Sequence, residues 1–168
     1  MTLRTLLLTA LLSLFGTGLF AQTTEEDLDL QYGTELLKPG TPAPDFCLKD
    51  IDGKEVRLSD FRGRQAVLVF WASWYPDCRA EVPELKRLQA SSDAVFVSIS
   101  FDRTFDAFKA YVTDQELGGV QLFDPAGKKE SAVAALFHVK WIPSLYLIGP
   151  DGKVVLGTVD IRKIAKRL

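Results

Sequence analysis

Sulfur and imidazole are scarce in this chain. Among 168 residues there are two cysteines, Cys47 and Cys78, one methionine and a single histidine, His138. A lone histidine without a Cys-x-x-Cys pair cannot build a four-ligand zinc centre, so neither a metal nor any other cofactor is expected. An excess of positive charge is missing as well. With 20 basic against 22 acidic residues, and a net charge of −2, the sequence offers no electrostatic footprint for nucleic acid. It also lacks internal repeats and low-complexity stretches. What is present, 47% hydrophobic and 25% charged residues, suits one globular domain with a sizeable core, expected as a monomer.

Long apolar runs without charge are confined to the first residues. Arg4 provides a positive start, Leu6 to Leu14 an apolar stretch and Phe15 to Ala21 a small-residue exit, so residues 1–21 read as a secretory signal with cleavage after Ala21. An uncleaved anchor stays open, because the stretch approaches the ~20 residues that span a bilayer, and it is the only membrane contact expected. No cysteine follows the run, which excludes a lipid-modified anchor. The expected location is therefore periplasmic or secreted. Residues 22–38 are acidic and aperiodic and read as an exposed tether, leaving 39–168 as the domain.

Within that domain, Phe46 to Asp50 and Lys54 to Leu58 flank Asp52-Gly53 as a hairpin, and Ser59 to Phe61 makes a helical turn. Ala66 to Trp71 is an unbroken apolar run of strand length, as expected for a central strand covered on both faces. Pro76 and Asp77 then start a helix, with Ala80, Leu85 and Leu88 at helical spacing. A strand over Ala94 to Ser100 follows, then a helix marked by Phe105, Phe108, Ala110 and Tyr111. Val120 to Phe123 is a strand and Lys129 to Phe137 a helix. Ser144 to Ile148 and Lys153 to Leu156 form a second hairpin, and Asp160 caps a last helix, Ile161 to Leu168. Strands alternating with helices point to an α/β fold with a parallel βαβ half. In the oxidising compartment a disulfide is conceivable. Cys47 alternates outward between Phe46 and Leu48, on a strand away from the helix of Cys78, so both are expected as free thiols.

Four motifs carry a family resemblance: Ala43-Pro-Asp-Phe46 with Asp52-Gly53, Phe70-Trp-Ala72 leading into Trp74, Cys78-Arg-Ala-Glu-Val-Pro83, and Val139-Lys-Trp-Ile-Pro-Ser144. Together they resemble the TlpA/ResA group of extracytoplasmic thiol-disulfide oxidoreductases, which is related to the AhpC/TSA proteins. The resemblance implies a thioredoxin fold, a central mixed β-sheet flanked by helices with an N-terminal β-hairpin extension. It also implies a cis proline at Pro143, beside Ile142, lying against the turn that bears the active-site thiols.

The departures from the pattern decide more than the matches. Tyr75 stands where the attacking cysteine of Cys-x-x-Cys belongs, three residues before Cys78. A phenol titrating near ~10 can neither attack a disulfide nor resolve one. Val69 replaces the polar or acidic residue that the resemblance places beneath the dithiol. Trp141 stands where glycine is usual, and with Trp74, Tyr75, Ile142 and Pro143 it lines an apolar groove for an extended polypeptide or fills a hole left by other substitutions. Cys78 is either a space-filling thiol or a redox residue held mostly protonated by burial and by Asp77. Glu81 is either the acid that the resemblance assigns to tuning that thiol or a solvated helix residue beside Arg79 and Lys86. His138 and Asp102 read as ordinary loop and cap residues.

Three functions compete at this point. The first is a family member that keeps the fold to bind a polypeptide or protein partner without dithiol turnover. The second is a peroxiredoxin-like peroxidase using Cys78 alone, although Trp71 and Tyr75 occupy the proline and threonine positions of that family's motif. The third is a monothiol reductase. Access to the Cys78 sulfur separates the first from the other two.

Overall fold

The computed structural model describes residues 27–168; the expected signal, 1–21, and residues 22–26 lie outside the described residues. Seven strands form one mixed sheet in the order β2-β1-β5-β4-β3-β6-β7. The strands are β1 (Cys47–Asp50), β2 (Glu55–Arg57), β3 (Ala66–Trp71), β4 (Val95–Ser100), β5 (Val120–Phe123), β6 (Ser144–Ile148) and β7 (Val154–Thr158). β3, β4 and β5 run parallel, while β6, β7 and the β1–β2 hairpin are antiparallel to their neighbours. This is the expected thioredoxin fold, with the N-terminal hairpin joined to its margin through β5.

β3 lies between β4 and β6 and all six of its residues are buried. Its alternation splits the core into two halves. Trp71 packs against Phe108 and Tyr111 of helix α3 (Phe105–Asp114) and, with Val69, faces α2 (Pro76–Ser91). Phe70 points the other way into a ring cluster with Phe101, Phe137 and Tyr146. The last helix, α6 (Ile161–Ala165), lies beside α2 and is capped by the Asp160 carboxylate accepting from the Arg162 amide.

Several local expectations need correction. Ala80 and Ala110 are exposed, and Val82 and Val112 take the buried positions on their helices. The helix expected over Lys129 to Phe137 is two short ones, α4 (Gly127–Glu130) and α5 (Ala132–Leu136). Ser131 breaks it because its hydroxyl caps the Ala134 amide and also donates to Asp124, and the extended backbone this requires cannot continue a helix.

The largest correction concerns residues 27–38, expected as exposed tether. Leu28–Tyr32 forms a short helix, α1, whose N-cap Asp27 accepts from the Asp29 amide. Leu36 is buried, the Leu37 amide donates to Tyr146 Oη at 2.9 Å, and the Glu35 carbonyl lies 3.1 Å from His138 Nδ1. Gly40 and Thr41 then pair with both polar groups of Val154 on β7. Gly157 permits the close approach at this seam, since a Cβ there would meet the Tyr146 ring at 2.8 Å and the Leu37 carbonyl at 3.2 Å.

Tyr146 joins the two parts: fully buried, it donates to the Phe137 carbonyl and accepts from Leu37. Tyr146→Phe leaves both backbone groups unpaired and is expected to cost about 1–3 kcal/mol in urea unfolding, with unchanged m-value and faster amide exchange at Leu37.

Candidate active site and aromatic surface

The sheet delivers the site to the end of β3. Beyond Trp71 the chain turns through Ser73, Trp74 and Tyr75, and the Tyr75 amide closes the turn on the Ala72 carbonyl. The turn is held from below by Asp102, which sequence reasoning passed over as a cap. Only 2% exposed, its carboxylate accepts from the Ser73 amide at 3.0 Å, the Ser73 hydroxyl at 2.7 Å and the Ser100 hydroxyl at 2.7 Å. Those donors satisfy a buried carboxyl group whose desolvation would otherwise be prohibitive.

Tyr75 is the N-cap of α2 with no side-chain capping bond, Pro76 follows where its missing N–H costs nothing, and Cys78 sits in the first turn. A helix N-terminus ordinarily favours a thiolate. Here Cys78 is only 5% exposed, and burial pushes the thiol up to about 12, with the carboxylates of Glu81, Asp77 and Asp102 adding to the effect against a backbone hydrogen bond from Ala72. At neutral pH Cys78 is a thiol. Cys47 is also free, and exposed on β1.

Glu81 does not behave as a solvated helix glutamate. Half-buried, it shares with Cys78, Val69, Trp71, Ser98 and Pro143 the wall of a cavity of about 20 Å³ beneath the turn. Burial pushes its carboxyl up to about 8, and Asp160 and Asp77 act the same way, opposed by the Ile161 amide and Arg162. Trp71 Nε1 and Ser98 Oγ, which also border the cavity, have no hydrogen-bond partner among the described residues. Val69 contributes only hydrocarbon, so no carboxylate stands directly beneath Cys78 on β3.

Around the turn lies a row of rings. Trp74, 48% exposed, meets Tyr75 edge-on at 5.7 Å; Tyr75 meets Trp141 edge-on at 5.9 Å; and Tyr32 of α1 stacks on Trp141 at 4.4 Å. Trp141 leads directly into Ile142 and the cis bond to Pro143. The N–H and C=O of Ile142 take part in none of the described hydrogen bonds. The structure thus brings Trp74, Tyr75, Trp141, Ile142 and Pro143 together around Cys78, with Glu81 below. Trp141 is half-buried against Tyr75 and Tyr32, combining the packing and the groove-lining alternatives. Tyr32 was not foreseen.

Because the native state holds Glu81 protonated where the unfolded chain ionises it, stability should fall as pH rises from about 4.5 toward about 8 and then level off. Glu81→Gln should flatten that limb of the urea-midpoint profile. A thiol reagent at pH 8 should modify Cys47 promptly and Cys78 only as fast as the protein opens.

Comparison with known proteins fits this geometry. The sequence pattern of the AhpC/TSA family matches residues 39–156. Thiol-disulfide oxidoreductase ResA of Bacillus anthracis is 30% identical over 124 residues, 72% of this chain and 69% of that protein. Thioredoxin-like protein YneN of Bacillus subtilis is 25% identical over 171 residues, 97% of this chain and 94% of its own. Among solved structures, a thiol-disulfide oxidoreductase from Bacteroides fragilis superposes with a TM-score of 0.68 at 27% identity, covering 76% of this chain and all of its own. A secreted Mycobacterium tuberculosis disulfide oxidoreductase, homologous to DsbE of E. coli, gives 0.61 at 28% identity, covering 68% of this chain and 83% of its own. With most of the domain matching the family pattern and ResA 30% identical over two thirds of both chains, the chain belongs to the AhpC/TSA family, in its ResA-like branch of thioredoxin-fold thiol-disulfide oxidoreductases.

Proposed function

We propose that this protein is an extracytoplasmic member of the family that has given up dithiol exchange and uses the surface beside Pro143 to bind an extended polypeptide. The observation that carries the reading is the pair at the start of α2. Tyr75 occupies the position of the attacking thiol, and Cys78 lies beneath it, 5% exposed with its thiol pushed up to about 12. Exchange needs an accessible thiolate and a second sulfur to resolve the mixed disulfide. Cys47, on β1 across the sheet, is not placed to supply either.

The binding part is supported by the ring row and by the unused backbone groups of Ile142. Extended chains bind by adding main-chain hydrogen bonds and setting side chains in flanking pockets, and exposed aromatic groups with few rotamers anchor such contacts. The apolar N-terminal stretch, and the secreted M. tuberculosis relative, support a periplasmic or secreted location. A one-cysteine enzyme, whether peroxidase or monothiol reductase, needs sulfur access that burial of Cys78 opposes.

In an insulin-reduction assay with dithiothreitol the wild type should not exceed the uncatalysed rate. Tyr75→Cys should form a 75–78 disulfide and restore part of the activity, and adding Val69→Asp should raise it further by returning a buried proton carrier. Wild-type turnover equal to that of Tyr75→Cys overturns the loss of dithiol chemistry. Independently, labelled, reduced and carboxymethylated insulin B chain should bind the wild type, and Trp141→Ala should weaken it at least tenfold.

A further inference from the structure

We infer that α1 is a displaceable cover over the Trp141 face of the aromatic surface, latched to the C-terminal helix by Asp29 and Lys163; as regulation of that surface, it rests on the polypeptide-binding reading.

The cover sits on the ring that matters. Tyr32 lies parallel to the Trp141 indole, at 4.4 Å and 25°, and so occupies a face on which an incoming side chain would stack. Tyr75 meets the same indole at 86°, in a T-shaped contact. Three of the four rings in the row belong to the domain; the fourth is lent by the N-terminal segment. A chain seated along Trp141 and Ile142 must move Tyr32 aside.

The segment is built so that it can move. α1 has five residues, far below the ~12–15 that hold a helix in isolation, and buries none of them. Leu30 is 77% exposed. Besides the Tyr32 stack and the packing of half-buried Leu28 against the core, its attachments are polar. The Asp29 carboxylate accepts from Thr158 Oγ1 at 2.9 Å, from the Val159 amide at 2.7 Å and from Lys163 Nζ at 2.6 Å, while Lys163 also reaches Asp27 at 2.5 Å. Asp27 and Lys163 are solvent-accessible, so this latch is open to screening by salt. Beyond Gly33 the character changes. Leu36 is in the core and Leu37 is bonded to Tyr146, which fixes the far side of the joint. Gly33 closes α1 tightly, since a Cβ there would lie 3.1 Å from the Asp29 Cα and 3.2 Å from its carbonyl oxygen. The N-terminal segment therefore divides into a seated part, from Leu36 onward, and a latched part, Asp27 to Tyr32.

Cover and ligand compete for one indole face. The apparent affinity of the surface is then the intrinsic affinity reduced by the fraction of molecules with the cover open, and weakening the latch raises it.

The test uses the full chain in a Trp74→Phe background, where Trp141 is the tryptophan that the latch can expose and Trp71 is buried. Asp29→Ala and, separately, Lys163→Met should raise acrylamide quenching of Trp141 about two- to threefold, with the thermal midpoint kept within a few degrees. One molar sodium chloride should do the same to the parent and add little to either variant. Quenching that is unchanged in both variants overturns the cover. With the labelled, carboxymethylated insulin B chain as probe and Trp74 restored, both latch variants should bind about three- to tenfold more tightly than the otherwise wild-type parent, and Trp141→Ala should cancel the gain. Equal or weaker binding by the latch variants overturns the regulatory role, because α1 would then be neutral or part of the binding surface. If the probe binds neither parent nor variants, the polypeptide-binding reading fails and with it the regulation of that surface, while quenching still decides whether α1 covers Trp141.

Discussion

Every part of the site hangs on the burial of β3. Parallel pairing with β4 and antiparallel pairing with β6 consume its backbone polar groups, and its six side chains fill both halves of the core. The chain leaves the sheet at Trp71 in a fixed direction, and Asp102 grips the next turn through Ser73. Tyr75, Cys78 and Glu81 take their positions from that exit. The cis proline arrives from the neighbouring strand, because β6 begins at Ser144 beside Phe70.

Chemistry at this point of the fold is a contest between a helix N-terminus that favours negative charge and a core that refuses it. In a dithiol enzyme the contest must end with an exposed thiolate. Here it ends the other way for both titrating groups. Cys78 keeps its proton far into the alkaline range, and Glu81 holds its own near neutrality, so neither places a negative charge beneath the turn. Tyr75 sets an aromatic ring at this helix start, above the buried Cys78. The surface around it presents edges and faces of rings beside Ile142, whose backbone groups take part in none of the described hydrogen bonds.

Much of the fold was readable in the sequence because it depends on short-range pattern. An unbroken apolar run gave β3 and a β-branched, largely apolar stretch β4, Asp-Gly pairs marked both hairpins, and Pro76 marked the start of α2. The site motifs were readable because they are contiguous. What stayed hidden depends on distant partners. Tyr32 lies in an acidic stretch that resembles disordered chain by composition, and only the fold brings it to Trp141. Asp29 is likewise one carboxylate among several until Thr158, Val159 and Lys163 converge on it. Asp102 and a surface cap use the same residue type, and burial beside Ser73 and Ser100 is a tertiary fact. The break at Ser131 turned on one hydroxyl choosing Asp124 and a cap over the helix path.

The arm formed by Gly40 and Thr41 has a consequence for how molecules of this protein meet one another. A sheet margin is a template to which any extended chain can add, a second copy included. At one margin β2 is three residues long and carries Glu55 and Arg57 outward, too short and too charged to recruit a neighbour. At the other, the arm has already taken the donor and acceptor of Val154. Edge-to-edge growth into fibres therefore finds less purchase along β2 and at the start of β7.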